Sequence, residues 1–282
     1  MANQQGIEIA FSQVGLTYGS DANAVCALRD VSFSVAPGES VAIIGPSGCG
    51  KSSMLHMAAG LIVPTEGQVL VDRAPLPAPR KGTAFIPQDL GLFPWKSVVD
   101  NAALGLTLRG VGKAAARLDA LAALEKVGLQ EFARAYPKQL SGGMRQRLAL
   151  ARALAIHADA VLMDEPLSAI DALQRESLQQ TLLDLWQLRH HTQLLVTHSI
   201  EEAVFLGQRI IVFSERPGTV VRDIDNPGMG TADYRDSAAF SATCKTVRDA
   251  LAARDATDRP NTASASETHN TAPATGSEED SR

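Results

Sequence analysis

Aromatic residues make up only 5% of the 282 positions, and there are only three cysteines. Cys26, Cys49 and Cys244 are odd in number and far apart. That spacing argues against a disulfide framework or a zinc cluster and fits a reducing compartment. No apolar run approaches about 18 residues, so no segment is expected to span a bilayer. Any role at a membrane must come through a partner. The chain also lacks a long block of Lys or Arg, and its formal net charge is −5, so charge gives no nucleic-acid footprint. Met1–Gln5 has neither a basic start nor an apolar stretch, so no secretory leader is expected. No internal repeat is visible. The chain is 45% hydrophobic, enough for a sizeable core in one large domain or a domain with a subdomain.

The most informative stretch is Gly45-Pro46-Ser47-Gly48-Cys49-Gly50-Lys51-Ser52, which reads G-x-x-x-x-G-K-S. The apolar run Ser40–Ile44 before it suits a buried strand, and Ser53–Ala59 after it suits a helix. A strand, a glycine-rich turn and a helix start together make a phosphate-binding loop. Glycine lets the backbone wrap close to a polyphosphate because no Cβ blocks the approach. The first N–H groups of the helix then point at the anion. Lys51 is placed to reach the β- and γ-phosphates, and the Ser52 hydroxyl to bind Mg²⁺. Cys49 fills a variable loop position, where the helix start can lower a thiol pKa.

Around this loop, strands alternate with helices. Ile7–Phe11, Val31–Val35, Val41–Ile44, Gly67–Asp72 and Thr83–Pro87 read as strands. From Val98 to Ala158 the pattern becomes helical, with Ala114–Lys126 and Met144–Ile156 the clearest segments and Gly128 placed as a cap. Ala160–Met163, Gln193–Thr197 and Ile210–Phe213 return to strand, and Ala172–Arg189 is a helix with Leu178, Leu182, Leu185 and Trp186 along one side. This order predicts an α/β fold with a parallel core sheet, into which a helical block at about 90–158 is inserted. Arg189-His190-His191 reads as a solvated helix end, since adjacent histidines do not share a helix face. Residues 226–254 form a C-terminal extension that is either a packed helix or a loose segment. Residues 255–282 are rich in Ala, Thr, Ser, Asp and Glu without aromatics and are expected to be disordered.

Four features follow the loop in a fixed order. Gln88 follows a strand, and Leu140-Ser141-Gly142-Gly143-Met144-Arg145-Gln146 opens a helix. Asp164-Glu165 ends a strand, and His198 ends another. With the loop, these resemble the ATP-binding-cassette (ABC) ATPases over roughly residues 7–225, the Leu-Ser-Gly-Gly run ahead of the Asp-Glu pair being the mark of that family. The resemblance implies a phosphate-binding-loop cassette with a mostly parallel core sheet, an antiparallel β subdomain and the inserted helical subdomain. It implies ATP and Mg²⁺ as cofactors. Asp164, Ser52 and Gln88 are then the Mg²⁺ shell, and Glu165 is the general base that orients the attacking water. His198 holds the γ-phosphate and Glu165 in line, Gln88 is a hinge that senses the γ-phosphate, and Tyr18 stacks on adenine. Gly45 through Ser53 wrap the phosphates.

Ser141, Gly142 and Gly143 make a second anion site at a helix start. In the family, that site closes over the ATP of a second copy, which implies a two-fold dimer with composite sites. Ser168-Ala169-Ile170-Asp171 matches the turn that crosses this interface, with Ile170 where leucine is usual.

The lack of a membrane span implies a separate ATPase subunit working with two transmembrane permease subunits and an external solute-binding protein, on the cytoplasmic face of the inner or plasma membrane. Pro94-Trp95, followed by Val98-Val99-Asp100-Asn101 and then Gly105-Leu106, looks like the nitrate/sulfonate/taurine branch of importers. Leu92, Phe93 and Trp95 then form a docking groove for the membrane subunit, or else pack inside the helical subdomain. The rival is a soluble ABC ATPase acting on nucleic acid or ribosomes, which would usually carry two cassettes, long coiled-coil inserts or zinc modules. A guanine-nucleotide switch is disfavoured by the absence of Asn-Lys-x-Asp. The transported solute is not written in a subunit that never touches it.

Overall fold

The computed structural model describes residues 6–20 and 23–253. The expected disorder of 255–282 falls outside those residues. Two sheets carry the fold. The first is antiparallel and four-stranded, built from β1 (Ile9–Tyr18), β2 (Val25–Val35), β4 (Glu66–Val71) and β5 (Ala74–Pro75) in the order β2-β1-β4-β5. The second contains β3 (Ser40–Ile44), β6 (Thr83–Ile86), β7 (Ala160–Asp164), β8 (Thr192–Thr197), β9 (Arg209–Phe213) and β10 (Val220–Asp225). Its order is β10-β9-β3-β8-β7-β6, parallel from β9 to β6 with an antiparallel edge at β10.

β3 is buried along its whole length, as expected for an inner parallel strand covered on both faces. Ala42 and Ile44 join the core formed with the helices, whereas Val41 and Ile43 join the core shared with the antiparallel sheet and α1 (Lys51–Ala58). The strand therefore fixes the loop that follows it from both sides. Because β8 lies beside β3 and β7 beside β8, the chain ends at Ile44, Thr197 and Asp164 emerge on one edge of the sheet. β6 is next in line, so Gln88 follows on the same edge.

Between β6 and β7 stand α2 (Val98–Leu108), α3 (Lys113–Lys126) and α4 (Gly142–Ala155), packed on one another. Small buried faces, Ala102 and Ala103 on α2 and Ala116, Ala120 and Ala123 on α3, let these helices approach closely. Ser97 caps α2 by accepting from Asp100 N at 3.2 Å. Gly128 follows α3 with φ of 66°, a left-handed conformation that suits glycine.

Several elements differ from the sequence reading. β1 runs on to Tyr18 instead of ending at Phe11, because register shifts beyond Phe11 break the period-two pattern. The helix α6 (Ile200–Leu206) and the edge strand β10 were not anticipated: one is two turns long and the other is largely polar. Of the two alternatives for residues 226–254, a packed helix is found. α7 (Ala238–Ala252) buries Phe240, Cys244 and Val247 at helical spacing, and Arg235 lies 4.0 Å over the Phe205 ring. The solvated-end reading holds for His190, which is exposed, and is corrected for His191. The helix α5 (Ala172–Arg189) ends on His190 in a left-handed conformation, and the chain turns directly into β8. His191 is thereby buried, and burial pulls its pKa down to about 4.

Candidate active site

The loop Gly45–Gly50 joins β3 to α1. Gly50, the residue before α1, has φ of 98°, and a Cβ there would lie 2.6 Å from Leu28 Cδ2; both facts require glycine. No side chain caps the start of α1, so its first N–H groups are free to face an anion. Lys51 is buried and its Nζ donates to the Gly45 and Pro46 carbonyls, at 2.8 and 2.7 Å. The ammonium is thus held inside the curl of the loop. Cys49 is buried beneath it, and desolvation raises its thiol pKa despite the opposing pull of Lys51. The lowered pKa that the helix start suggested is therefore not found. Burial of the side chain leaves Cys49 only its backbone to offer a ligand.

A cleft of about 310 Å³ opens over the loop. Ser47, Gly48, Gly50, Lys51, Ser52 and Ser53 line its floor. Tyr18 stands in the wall, 44% exposed, with its hydroxyl 2.9 Å from Ser53 Oγ. Gln88 and Glu165 complete the side toward the sheet edge. Glu165 adopts φ of 48°, unusual for a residue with a side chain, and its N–H donates to Val196 O at 2.9 Å. Its Oε2 lies 3.4 Å from His198 Nδ1. The histidine is exposed and the glutamate half-buried.

Asp164 is buried, and burial raises its pKa, with a Ser52 hydrogen bond pulling the other way. Its Oδ1 has no hydrogen-bond partner among the described residues. Ser52, Gln88 and Asp164 line a neighbouring cavity together. An orphaned carboxylate oxygen, a hydroxyl and an amide form an all-oxygen set. Such a set fits Mg²⁺, which is bound through one or two carboxylates plus phosphate oxygens.

Ser141, Gly142 and Gly143 do not line the cleft. They begin α4, where Ser141 Oγ accepts from Met144 N at 3.2 Å and Ser141 itself is exposed. This helix start faces outward.

Residues 28–168 match the family model described as ABC transporter. The chain belongs to the ABC transporter family. The cassette is 47% identical over 195 residues to the taurine import ATP-binding protein TauB of Pseudomonas aeruginosa, an alignment covering 69% of this chain and 74% of that protein. Among solved structures, it is similar to the dimeric structure of MJ0796, a bacterial ABC transporter cassette, with a TM-score of 0.73 at 33% identity. That alignment covers 78% of this chain and 100% of the other. It is also similar to a dimeric post-hydrolysis state of that cassette bound to ADP and Pi, with a TM-score of 0.72 at 34% identity and the same coverage.

Two residues of the cassette's site were given no role by the sequence reading, although Gln146 ends the Leu140–Gln146 run noted there. Gln146 on α4 is buried, and its Nε2 donates to Glu165 O at 3.3 Å and to Ser168 Oγ at 3.0 Å. Its Oε1 accepts from Ala169 N at 2.9 Å. One amide thus ties the helix that begins with Ser141 to the loop that carries Glu165. Arg216, in the loop between β9 and β10, lines the cleft itself. Arg216 sits in no motif, and the motif that holds Gln146 does not disclose its partners. Tertiary packing alone brings them in.

Proposed function

We propose that this cassette is the ATP-hydrolysing subunit of an importer, and that a small solute of the nitrate, sulfonate or taurine type crosses through separate membrane subunits. The observation that carries this reading is the single cleft joining Tyr18, the phosphate-binding loop and Glu165. Tyr18 offers its ring to adenine, Gly45 to Ser53 wrap the phosphates, and Lys51 exchanges loop carbonyls for β- and γ-oxygens. Glu165 accepts a hydrogen bond from the attacking water, and His198 orients that carboxylate. Ser52, Asp164 and Gln88 would hold Mg²⁺, which would supply charge neutralisation on the phosphates.

Ser141, Gly142 and Gly143 lie outside the cleft, so they serve the nucleotide of a second copy in a two-fold homodimer. The solved relatives titled as dimeric cassettes support that assembly. Closure of the dimer moves α2–α4, and with them the segment after Gln88. That segment is tied to α4 through Arg152, whose guanidinium donates to Gly91 O and Leu90 O, both at 2.6 Å. Asn101 braces the loop from α2, accepting from Phe93 N at 2.8 Å and donating to Phe93 O and Lys96 O at 3.0 Å. On this braced loop Trp95 is 71% exposed against the edge of Phe93. An exposed indole on a rigid loop suits docking of a permease subunit.

No helix among the described residues is long and apolar enough to cross a membrane. In keeping with relatives named for import, we place the cassette as a peripheral subunit on the cytoplasmic face, with the solute-binding protein outside. No nucleic-acid partner is proposed, and relatives named for import support the transporter reading over a ribosome-associated one. The test is to co-express the cassette with candidate permease subunits in vesicles. Solute uptake that requires ATP and this chain is expected. ATP-independent uptake would contradict the reading.

A further inference from the structure

We propose that Arg216 is a nucleotide-binding residue whose guanidinium grips the α-phosphate of ATP and ADP. The proposal rests on the ATPase reading above and extends it to a residue outside every motif. Arg216 lines the cleft, is exposed, and makes no hydrogen bond or ion pair with the described residues.

Its loop is built onto the cleft wall. Gly218 N donates to Ala27 O at 2.9 Å, and Arg29 N donates to Gly218 O at 3.1 Å. A Cβ on Gly218 would lie 2.0 Å from the Cys49 carbonyl oxygen, so this backbone rests directly on the phosphate-binding loop. Ser214 closes the turn: its N–H donates to Thr219 O at 3.0 Å, and its Oγ accepts from Thr219 N at 2.8 Å. The bonds at Gly218 tie the turn that carries Arg216 to β2, those at Ser214 close the turn on itself, and the close approach of Gly218 to Cys49 seats it on the phosphate-binding loop.

The position within the cleft selects the ligand atom. Tyr18 pairs with Val25 across the antiparallel sheet, and both line the cleft at the base-binding end. Ala27, two residues further along β2, lies beside Gly218 and so beside the Cys49 backbone. Arg216 thus stands between the platform for adenine and the loop for the β- and γ-phosphates. The part of the nucleotide that spans this gap is the ribose and its α-phosphate. Lys51 is the cation of the loop floor, where the β- and γ-phosphates belong. Arg216 is a second cation lining the cleft, and a guanidinium pairs well with phosphate oxygens.

The test is equilibrium binding of ATP and of ADP to the whole chain, with steady-state hydrolysis alongside. In Arg216→Gln, both nucleotides should bind about tenfold more weakly and by the same factor, as expected for a lost charge-assisted hydrogen bond. KM for ATP should rise by a similar factor with kcat changed by less than about twofold. Arg216→Lys, which keeps the charge without the fork, should fall between. Weaker ATP binding with unchanged ADP binding would move the contact to the γ-phosphate and overturn the proposal. Unchanged binding of both nucleotides, or a fall in kcat at constant KM, would overturn it as well. Failure of the wild-type chain to bind ATP at all would instead remove the ATPase reading on which the proposal stands.

Discussion

Lys51, Gln146 and His191 illustrate three ways in which a single side chain acts in this cassette. Lys51 is held by two loop carbonyls, at 2.8 and 2.7 Å, so its ammonium is already in place when the phosphates arrive. Lys51→Ala should lower ATP hydrolysis at least about a hundredfold, the scale seen when one preorganised charge-stabilising group is removed. Turnover like that of the wild type would refute the loop assignment. Gln146 touches no nucleotide but bonds to Glu165 O, Ser168 and Ala169. It is a positioning residue. Gln146→Ala should cut kcat about tenfold while ATP affinity stays within about twofold, because only the alignment of Glu165 is lost. Equal losses in affinity and kcat would show a merely structural role.

His191 makes a pH prediction. Its folded pKa is lowered from 6.5 to about 4, so below pH 6.5 the unfolded chain takes up a proton that the folded chain refuses. Its contribution to stability is therefore complete above pH 6.5 and is lost as pH falls toward 4. The loss is at most roughly 3 kcal/mol. Wild type should lose more Tm between pH 7 and pH 4.5 than His191→Gln, and parallel profiles would contradict this.

The same scale separates what the sequence could reveal from what it could not. Gly45–Ser52, Asp164-Glu165 and His198 are local signals: a strand end, a glycine-rich turn or an acidic pair is recognisable without its neighbours. Gln146 ends the Leu140–Gln146 run with no role of its own in view, and Arg216 looks like an ordinary surface polar residue. Gln146 matters because α4 lies against the loop after β7, and Arg216 because Gly218 rests on Cys49. Those contacts join positions far apart in the chain, and no spacing rule encodes them. His191 was misread for the same reason, since its burial follows from the abrupt entry into β8.

Secondary-structure elements are the level at which nucleotide chemistry becomes motion. The order β3-β8-β7-β6 sets the loop, His198, the Asp-Glu pair and Gln88 side by side. This parallel set was legible because its strands are continuous apolar runs. The short α6 and β10 were not, because the apolar spacing of α6 lasts only two turns and three of the six residues of β10 are charged. Arg152 and Asn101 clamp the segment 90–101 onto α4 and α2, so a shift of these helices carries Trp95 with it. Trp95→Ala should leave ATP binding within about twofold and weaken assembly with permease subunits about tenfold or more, as for an exposed aromatic anchor at an interface. Co-purification of the complex at wild-type yield would remove Trp95 from the docking surface.

At the scale of the whole molecule, the outward-facing start of α4 links one chain to another. Ser141–Gly143 lie outside the cleft of their own chain, whereas Gln146 on the same helix reaches back to Glu165. In the proposed dimer one helix would serve two sites: its first turn the nucleotide of the second copy, and its next turn the Glu165 loop of its own chain. On the proposed reading, ATP binding stabilises the closed dimer and loss of the γ-phosphate releases it, a two-state equilibrium biased by the nucleotide. Slowing hydrolysis should trap the closed state. The most direct measurement is light scattering of Glu165→Gln with saturating Mg-ATP. The expected mass is twice that of the chain, falling to a single chain when ADP replaces ATP or when Ser141→Arg is added. A single-chain mass with saturating ATP, or a dimer indifferent to the nucleotide and to Ser141, would contradict the account.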